Sequence, residues 1–180
     1  MKVLVILTNG FEEMEALGTI DILRRGGVIV DVFSLHGPTL MGAHNVKISD
    51  LVNYKEANLD NYDCLFIAGG PQYQELETNS DFLNIIKYFS NKDRYIGAIC
   101  AAPTILGKLG LLKGKEYTCF NSMNEDFGGT YIDHYAVKDG KLVTGKGPMA
   151  TIEFALLLLE TITNKNTSEM VKEGSFYYHK

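Results

Sequence analysis

The chain opens with a continuous apolar run, Lys2-Val-Leu-Val-Ile-Leu-Thr8, which is typical of a parallel strand covered on both faces. Apolar positions from Met14 to Leu23 then recur at helical intervals, with glutamates before them and Arg24-Arg25-Gly26-Gly27 after them. Acidic residues at the start and basic residues with glycine at the end are the signals of a complete helix. Residues 28–33 have the pattern of a second strand, so the chain begins as a β-α-β unit.

The later segments continue this alternation of strand and helix patterns. Short hairpins are predicted over 36–53 and over 135–144, the second turning on Asp139-Gly140. Further strands are predicted at 64–68, 95–99 and 116–120, and further helices over 82–89, 104–112 and 148–160. The succession predicts one domain over residues 1–180. Its expected fold class is α/β, a flavodoxin-like three-layer sandwich with a mostly parallel central sheet.

One segment, Tyr95-Ile-Gly-Ala-Ile-Cys-Ala-Ala-Pro-Thr104, joins a strand to a helix with a cysteine at the corner. Pro103 suits a first helical turn. A nucleophile on such a turn needs small residues two positions away on either side, and Cys100 has Ala98 and Ala102 there. The segment therefore predicts a nucleophile elbow, in which backbone N–H groups depress the pKa of Cys100. The alternative is a buried cysteine that serves only the core.

Composition and charge limit the partners. The 180 residues carry a formal net charge of −5 and no run of Lys or Arg, which argues against nucleic acid and anionic membranes. No apolar run approaches the roughly 20 residues of a membrane span. Because the first strand begins at Lys2 with no signal peptide before it, we expect a cytoplasmic protein. The cysteines at 64, 100 and 119 are scattered, so neither a disulfide framework nor a metal site is predicted, and no cofactor is expected.

Three features fall where predicted strands end: the glutamates at 12, 13 and 15, the pair Gly69-Gly70, and Cys100. Ligands of parallel α/β sheets bind at the carboxyl ends of the strands. Gly69 and Gly70 offer backbone without a Cβ, and the N–H of Ala101 directly follows the cysteine, so these groups can form an oxyanion hole. The alternatives are a tight turn for the glycines and a helix-dipole role for the glutamates.

Four segments resemble, in order and spacing, the signatures of the DJ-1/ThiJ/PfpI superfamily, and the compact DJ-1-like (ThiJ-type) members most closely. They are Gly10-Phe-Glu-Glu-Met-Glu-Ala16, Ile67-Ala-Gly-Gly70, Ala98-Ile-Cys-Ala-Ala-Pro103 and Gly147-Pro-Met-Ala-Thr-Ile-Glu-Phe-Ala155. The resemblance implies a reactive Cys100 paired with a protonated Glu15. It further implies oxyanion donors at Gly70 and Ala101, and a homodimer with Arg25 at its interface. Members include cofactor-free glyoxalases and deglycases, oxidative-stress sensors, chaperones and proteases.

The chain departs from the superfamily pattern at two positions. PfpI proteases have a histidine after the cysteine, where this chain has Ala101. Several DJ-1 proteins have a pocket histidine 20 residues beyond the cysteine, where this chain has Phe120. The four histidines, at 36, 44, 134 and 179, stand in no familiar triad position, and His134-Tyr-Ala136 lacks the acid of a glutamine amidotransferase. Peptidase and amidotransferase activities are therefore disfavoured.

The expected function is detoxification of reactive dicarbonyls, either free or as adducts on glycated protein. The Cys100 thiolate attacks the aldehyde of glyoxal or methylglyoxal, and Glu15 moves a proton during isomerisation to the 2-hydroxy acid. The alternative is a sensor or redox-regulated chaperone that responds to oxidation of Cys100. A dimer through the first helix is expected to be isologous.

Overall fold

The computed structural model describes residues 1–178, so His179 lies outside the described residues. In chain order the strands are β1 (Lys2–Leu7), β2 (Ile29–Ser34), β3 (Leu40–Met41), β4 (Lys47–Ile48), β5 (Val52–Asn53), β6 (Cys64–Ile67), β7 (Tyr95–Ile99), β8 (Glu116–Tyr117), β9 (Thr130–Tyr131), β10 (Ala136–Asp139) and β11 (Leu142–Gly145). The α-helices are α1 (Thr19–Arg25), α2 (Tyr73–Leu76), α3 (Ser80–Asn91), α4 (Ala102–Lys108), α5 (Thr151–Ile162) and α6 (Lys165–Gly174). A π-helix spans Met14–Gly18, and 3₁₀ turns span Tyr54–Glu56, Leu59–Asn61, Asn121–Met123 and Pro148–Ala150.

Seven strands form the central sheet, in the order β10-β11-β7-β6-β1-β2-β5. Every neighbouring pair is parallel except the predicted hairpin β10-β11. The segment at 36–53 does contain a short antiparallel pair, β3 with β4. The carboxyl ends of β1, β6 and β7 lie side by side, which brings the three predicted landmarks to one edge of the sheet.

Alternate residues of the central strands enter two separate cores. Val3, Val5 and Leu7 of β1 join the core that also holds α1 and α5. Leu4 and Ile6 join the core under α3 and α4. This division follows from the two-residue period of a strand covered on both faces, and it confirms the predicted three-layer sandwich.

The structure differs from the predicted elements in several places, and it adds the short elements α2, β5 and β9. The first helix begins as a π-helix, which the apolar spacing does not reveal. The strand predicted at 116–120 stops at Tyr117. Beyond it, Thr118 N donates to the side chain of Thr144, and Phe120 N donates to the carbonyl of Cys100, so neither amide joins a regular ladder. Helix α6 was missed, because its buried residues are few: Ser168 and Val171.

No helix within residues 1–178 combines the length and the apolar content needed to cross a bilayer.

Candidate active site

Cys100 occupies the sharp turn between β7 and α4. Its φ is +65°, a left-handed conformation that is costly for a residue with a side chain and that recurs at nucleophile elbows. The flanking Ala98 and Ala102 are fully buried, so strand and helix pack closely around the turn. Cys100 N donates to Gly145 O at 2.9 Å, and Cys100 O accepts from Phe120 N at 2.8 Å. The elbow geometry predicted from the sequence is therefore present.

Glu15 lies within the π-helix and has no solvent-exposed surface. Its Oε2 accepts a hydrogen bond from Gly69 N at 2.8 Å. Its Oε1 is buried without an oxygen or nitrogen partner, and the neighbouring thiol of Cys100 interacts with this carboxyl. The structure thus brings together the cysteine and the glutamate that the sequence assigned to one site, although 85 positions separate them in the chain.

Gly69 and Gly70 lie where the segments that carry Cys100 and Glu15 approach each other most closely. A Cβ on Gly69 would lie 2.7 Å from both Cys100 Cβ and Glu15 Oε2. Gly70 has φ +87°, and a Cβ there would lie 2.5 Å from Glu12 N. Close approach of neighbouring atoms therefore excludes side chains at both positions. The two glycines allow the chain to turn and also allow Cys100 and Glu15 to come close together. Because the N–H of Gly69 donates to Glu15, this glycine positions the acid, and the N–H groups of Gly70 and Ala101 are the remaining candidates for oxyanion donors.

The side chains of the other two glutamates, Glu12 and Glu13, accept hydrogen bonds from specific backbone N–H groups, so their role is not limited to the helix dipole. Glu12, 7% exposed, accepts from Glu15 N through Oε2 at 2.7 Å and so fixes the π-helix at the residue that carries the acid. Glu13 accepts from His44 N at 2.6 Å and from His44 Nδ1 at 3.0 Å. It clamps the β3–β4 turn over the site.

Gln72 was missed by the sequence analysis. Its side chain is 1% exposed and joins the ends of two central strands. Oε1 accepts from Thr8 N at 3.0 Å, and Nε2 donates to Ala68 O at 2.9 Å. A buried amide two residues after Gly70 supports the loop that carries the oxyanion donor. The only sequence signal is a polar residue placed directly after a glycine-proline turn.

The pKa of Glu15 is raised to about 7: burial is the main cause and the negative charge of Glu12 adds to it, while the Cys100 thiol and the Gly69 N–H oppose the shift. A carboxyl with this pKa still holds its proton in much of the population at neutral pH. Such a group can donate and accept a proton near physiological pH, which is the requirement for a general acid and base.

Burial is the main influence on the pKa of Cys100, and Glu15 is the second. Both raise this pKa, and the N–H groups of Ala101 and Gly70 oppose them only in part, so the pKa of the thiol lies above its ordinary value. The expectation that backbone N–H groups depress the pKa of Cys100 is therefore wrong. When Glu15 holds the proton, the repulsion disappears and its O–H favours the thiolate. A thiolate at Cys100 therefore requires a neutral Glu15, because two adjacent negative charges are costly in this buried site.

The remaining candidates lie outside this cluster. Cys64 and Cys119 are fully buried, and burial raises the pKa of Cys119 to about 11. Arg25 is half-exposed and pairs with Asp21 at 2.7 Å, away from the thiol. His36 and His134 are exposed, as expected for surface residues.

One group of side chains in residues 1–178 has ligand atoms close enough to hold a metal ion. It comprises Glu12, Glu13 and His44, whose atoms lie within 4.8 Å of one another. The hydrogen bonds from His44 and Val46 to Glu13 account for this group as a loop clamp.

The first prediction concerns the order of cysteine labelling. With limiting iodoacetamide at neutral pH, we expect Cys100 to be alkylated first, because it alone among the three thiols has exposed surface, 8% against 0%. Peptide mass spectrometry measures the order. Cys100→Ser should remove the fast phase, and labelling of Cys64 or Cys119 ahead of Cys100 would contradict the elbow assignment.

The second prediction concerns stability and pH. The folded pKa of Glu15, about 7, lies above the ordinary value of 4.5. The contribution of Glu15 to the free energy of unfolding is therefore fully present below the ordinary pKa and is lost as pH rises through the folded pKa. Urea unfolding compares Cys100→Ser with the double variant that also carries Glu15→Gln. Over this pH window the free energy of unfolding of Cys100→Ser should fall by on the order of 3 kcal/mol relative to that of the double variant. If the two proteins instead had parallel profiles of unfolding free energy against pH, the pKa of Glu15 would not be raised in the folded state.

Comparison with known proteins shows similarity over nearly the whole chain. The DJ-1/PfpI family model matches residues 1–161. Protein dj-1beta of Drosophila melanogaster is 34% identical over 176 residues, which cover 95% of this chain and 94% of that protein. The crystal structure of Drosophila melanogaster DJ-1beta has a TM-score of 0.90 at 32% identity, covering 99% of this chain and 98% of that one. Deglycase PfpI of Pyrococcus furiosus is 27% identical over 151 residues, 82% of this chain and 91% of that protein. The chain therefore belongs to the DJ-1/PfpI family.

Proposed function

We propose that this protein converts reactive 2-oxoaldehydes such as methylglyoxal to 2-hydroxy acids without a cofactor, and acts in the same way on early adducts of these compounds with protein. The observation that carries the proposal is the buried Glu15 carboxyl, which lies beside Cys100; its Oε2 accepts from Gly69 N at 2.8 Å, and its Oε1 has no hydrogen-bond partner. A nucleophile with a proton carrier beside it suits this isomerisation. The similarity to a protein named deglycase supports the same class of chemistry.

The reaction begins when the Cys100 sulfur bonds to the aldehyde carbon. The aldehyde oxygen gains negative charge and takes the proton of Glu15, which gives a neutral hemithioacetal. The N–H groups of Gly70 and Ala101 stabilise the oxyanion before it is protonated. Both donors already favour negative charge at the sulfur, so they face the point where the new bond forms.

Isomerisation moves a proton between the two carbonyl carbons. The Glu15 carboxylate removes the proton from the former aldehyde carbon, and the resulting enediol takes a proton at the neighbouring carbon. The product is a thioester of the 2-hydroxy acid on Cys100. Water then attacks the thioester, the carbon–sulfur bond breaks, and the acid leaves as the thiolate is restored. No electrons enter or leave the protein, and the water balances the equation.

A second function, a response to oxidants, is favoured by a specific feature of the same site. Cys100 has a small exposed surface, and its sulfur lies beside Glu15 and two backbone donors that suit the oxygens of a sulfinate.

Turnover of methylglyoxal in the absence of added thiol separates the two functions, because a pure sensor shows none. A Cys100→Ser variant should lose all such turnover, and residual activity at the wild-type rate would sink the enzymatic proposal.

The third prediction separates proton transfer from electrostatics at Glu15. Glu15→Gln keeps a group of similar shape that can still donate to sulfur, but it cannot exchange a proton as an acid or base. We expect hemithioacetal formation to persist while turnover of methylglyoxal falls on the order of 10²-fold or more. Glu15→Asp should retain part of the activity, because the acid remains with a shorter reach. Wild-type turnover in Glu15→Gln would remove the proton-transfer role and favour the sensor.

The fourth prediction concerns assembly. We propose an isologous homodimer through the π-helix, α1 and the start of α5. Met14, Leu17 and Ile152 are 38–48% exposed, and Gly18 approaches Thr151, which brings these apolar side chains to one face. Sedimentation at micromolar concentration should give twice the 20.0 kDa chain mass. Ile152→Glu should shift the protein towards monomer, whereas Ile29→Glu, at an exposed position on β2, should not. A single 20.0 kDa species for the wild type would refute the dimer.

A further inference from the structure

An open cavity of about 390 Å³ lies at the carboxyl end of β11, beside the elbow. Its walls include the side chains of Phe120, Tyr135, Lys146, Pro148 and Met149. The three large apolar side chains among them, Phe120, Tyr135 and Met149, are 44%, 50% and 76% exposed. The volume is within the range of roughly 300–1,000 Å³ that is usual for small-molecule sites.

The cavity is joined to the nucleophile through the backbone. One wall begins at Phe120, whose N–H donates to the carbonyl of Cys100 at 2.8 Å. The other wall follows Gly145, whose carbonyl accepts from Cys100 N at 2.9 Å. The walls meet where Gly147 approaches the Phe120 ring, with only 3.5 Å from the ring to the place of a Cβ. Both walls are therefore fixed relative to the sulfur.

The lining favours an uncharged, apolar occupant. Lys146 is the one charged residue in the lining, and its Nζ pairs with the carboxylate of Asp133. Phe120 occupies a position where a histidine would offer a polar ring, and Pro148 and Met149 face the same space. An aromatic face flanked by aliphatic surface binds a flat or branched hydrocarbon group through burial of apolar area.

We propose that this cavity receives the carbon substituent of the substrate, so that the preferred substrates are 2-oxoaldehydes carrying an aryl or branched alkyl group rather than the methyl of methylglyoxal. The inference rests on the proposed function for the identity of the reacting group. Phe120 is the specificity-determining residue. The substituent stacks on the Phe120 ring while the aldehyde carbon reaches Cys100.

Steady-state kinetics with phenylglyoxal and methylglyoxal test the proposal. Phe120→Ala keeps the backbone N–H that bonds Cys100 and removes only a half-exposed ring, so the elbow is retained. We expect its kcat/KM for phenylglyoxal to fall on the order of tenfold, mostly through KM, and its kcat/KM for methylglyoxal to fall less. Phe176→Ala, at an aromatic residue that is 82% exposed and outside the cavity, is the matched control. An equal change for both substrates would overturn the proposal.

An alkylation experiment separates this inference from the proposed function, because it needs no turnover. The rates at which 2-chloroacetophenone and chloroacetone modify Cys100 are measured by peptide mass spectrometry, and their ratio is divided by the ratio for a free thiol. A normalised ratio well above one that falls in Phe120→Ala supports the cavity even if neither oxoaldehyde is turned over. A normalised ratio near one, unchanged in Phe120→Ala, overturns it even if methylglyoxal is turned over.

Discussion

The hydrogen bond from Gly69 N to Glu15 Oε2 is the contact on which the candidate site depends. It joins the end of β6 to the π-helix, across the place where Cys100 approaches from β7. The absence of side chains at Gly69 and Gly70 lets the three segments come within van der Waals distance. Glu12 adds a second tie by accepting from Glu15 N, and Gln72 links the strand ends beneath. The carboxyl of Glu15 is therefore held by the Gly69 amide, and the backbone of Glu15 is held by the side chain of Glu12.

This arrangement explains how one carboxyl can remain protonated near neutral pH in a protein with an ordinary surface. A single N–H donor is too little to stabilise a buried carboxylate, since one oxygen stays unpaired. The negative charge of Glu12 repels a carboxylate at Glu15 and so raises the pKa of Glu15. Sulfur, in contrast, has two backbone donors and an edge open to solvent. A neutral Glu15 thus relieves the repulsion that otherwise opposes a thiolate at Cys100.

The sequence predicted that Cys100, Gly70 and the glutamates follow strands and so lie at one edge of the sheet, because each comes directly after a short apolar run. The roles assigned to Cys100, Glu15 and Gly70 stay predictions. The sequence could not predict the π-helix, because insertion of one residue into a helical turn leaves the apolar spacing nearly unchanged. The role of Gln72 depends on a contact 64 residues away, and the coupled pKa of Cys100 depends on Glu15, so neither is visible in local pattern.

The left-handed conformation of Cys100 has a consequence for how the site can change during evolution. The backbone around residue 100 is fixed by its bonds to Gly145 and Phe120, and these do not involve the sulfur. The cost of that conformation, of order 1–3 kcal/mol, is borne by any residue with a Cβ and relieved by glycine. The fold therefore favours the loss of a side chain at this position on stability alone. The cysteine of this chain therefore carries a folding cost at residue 100 that glycine would not carry.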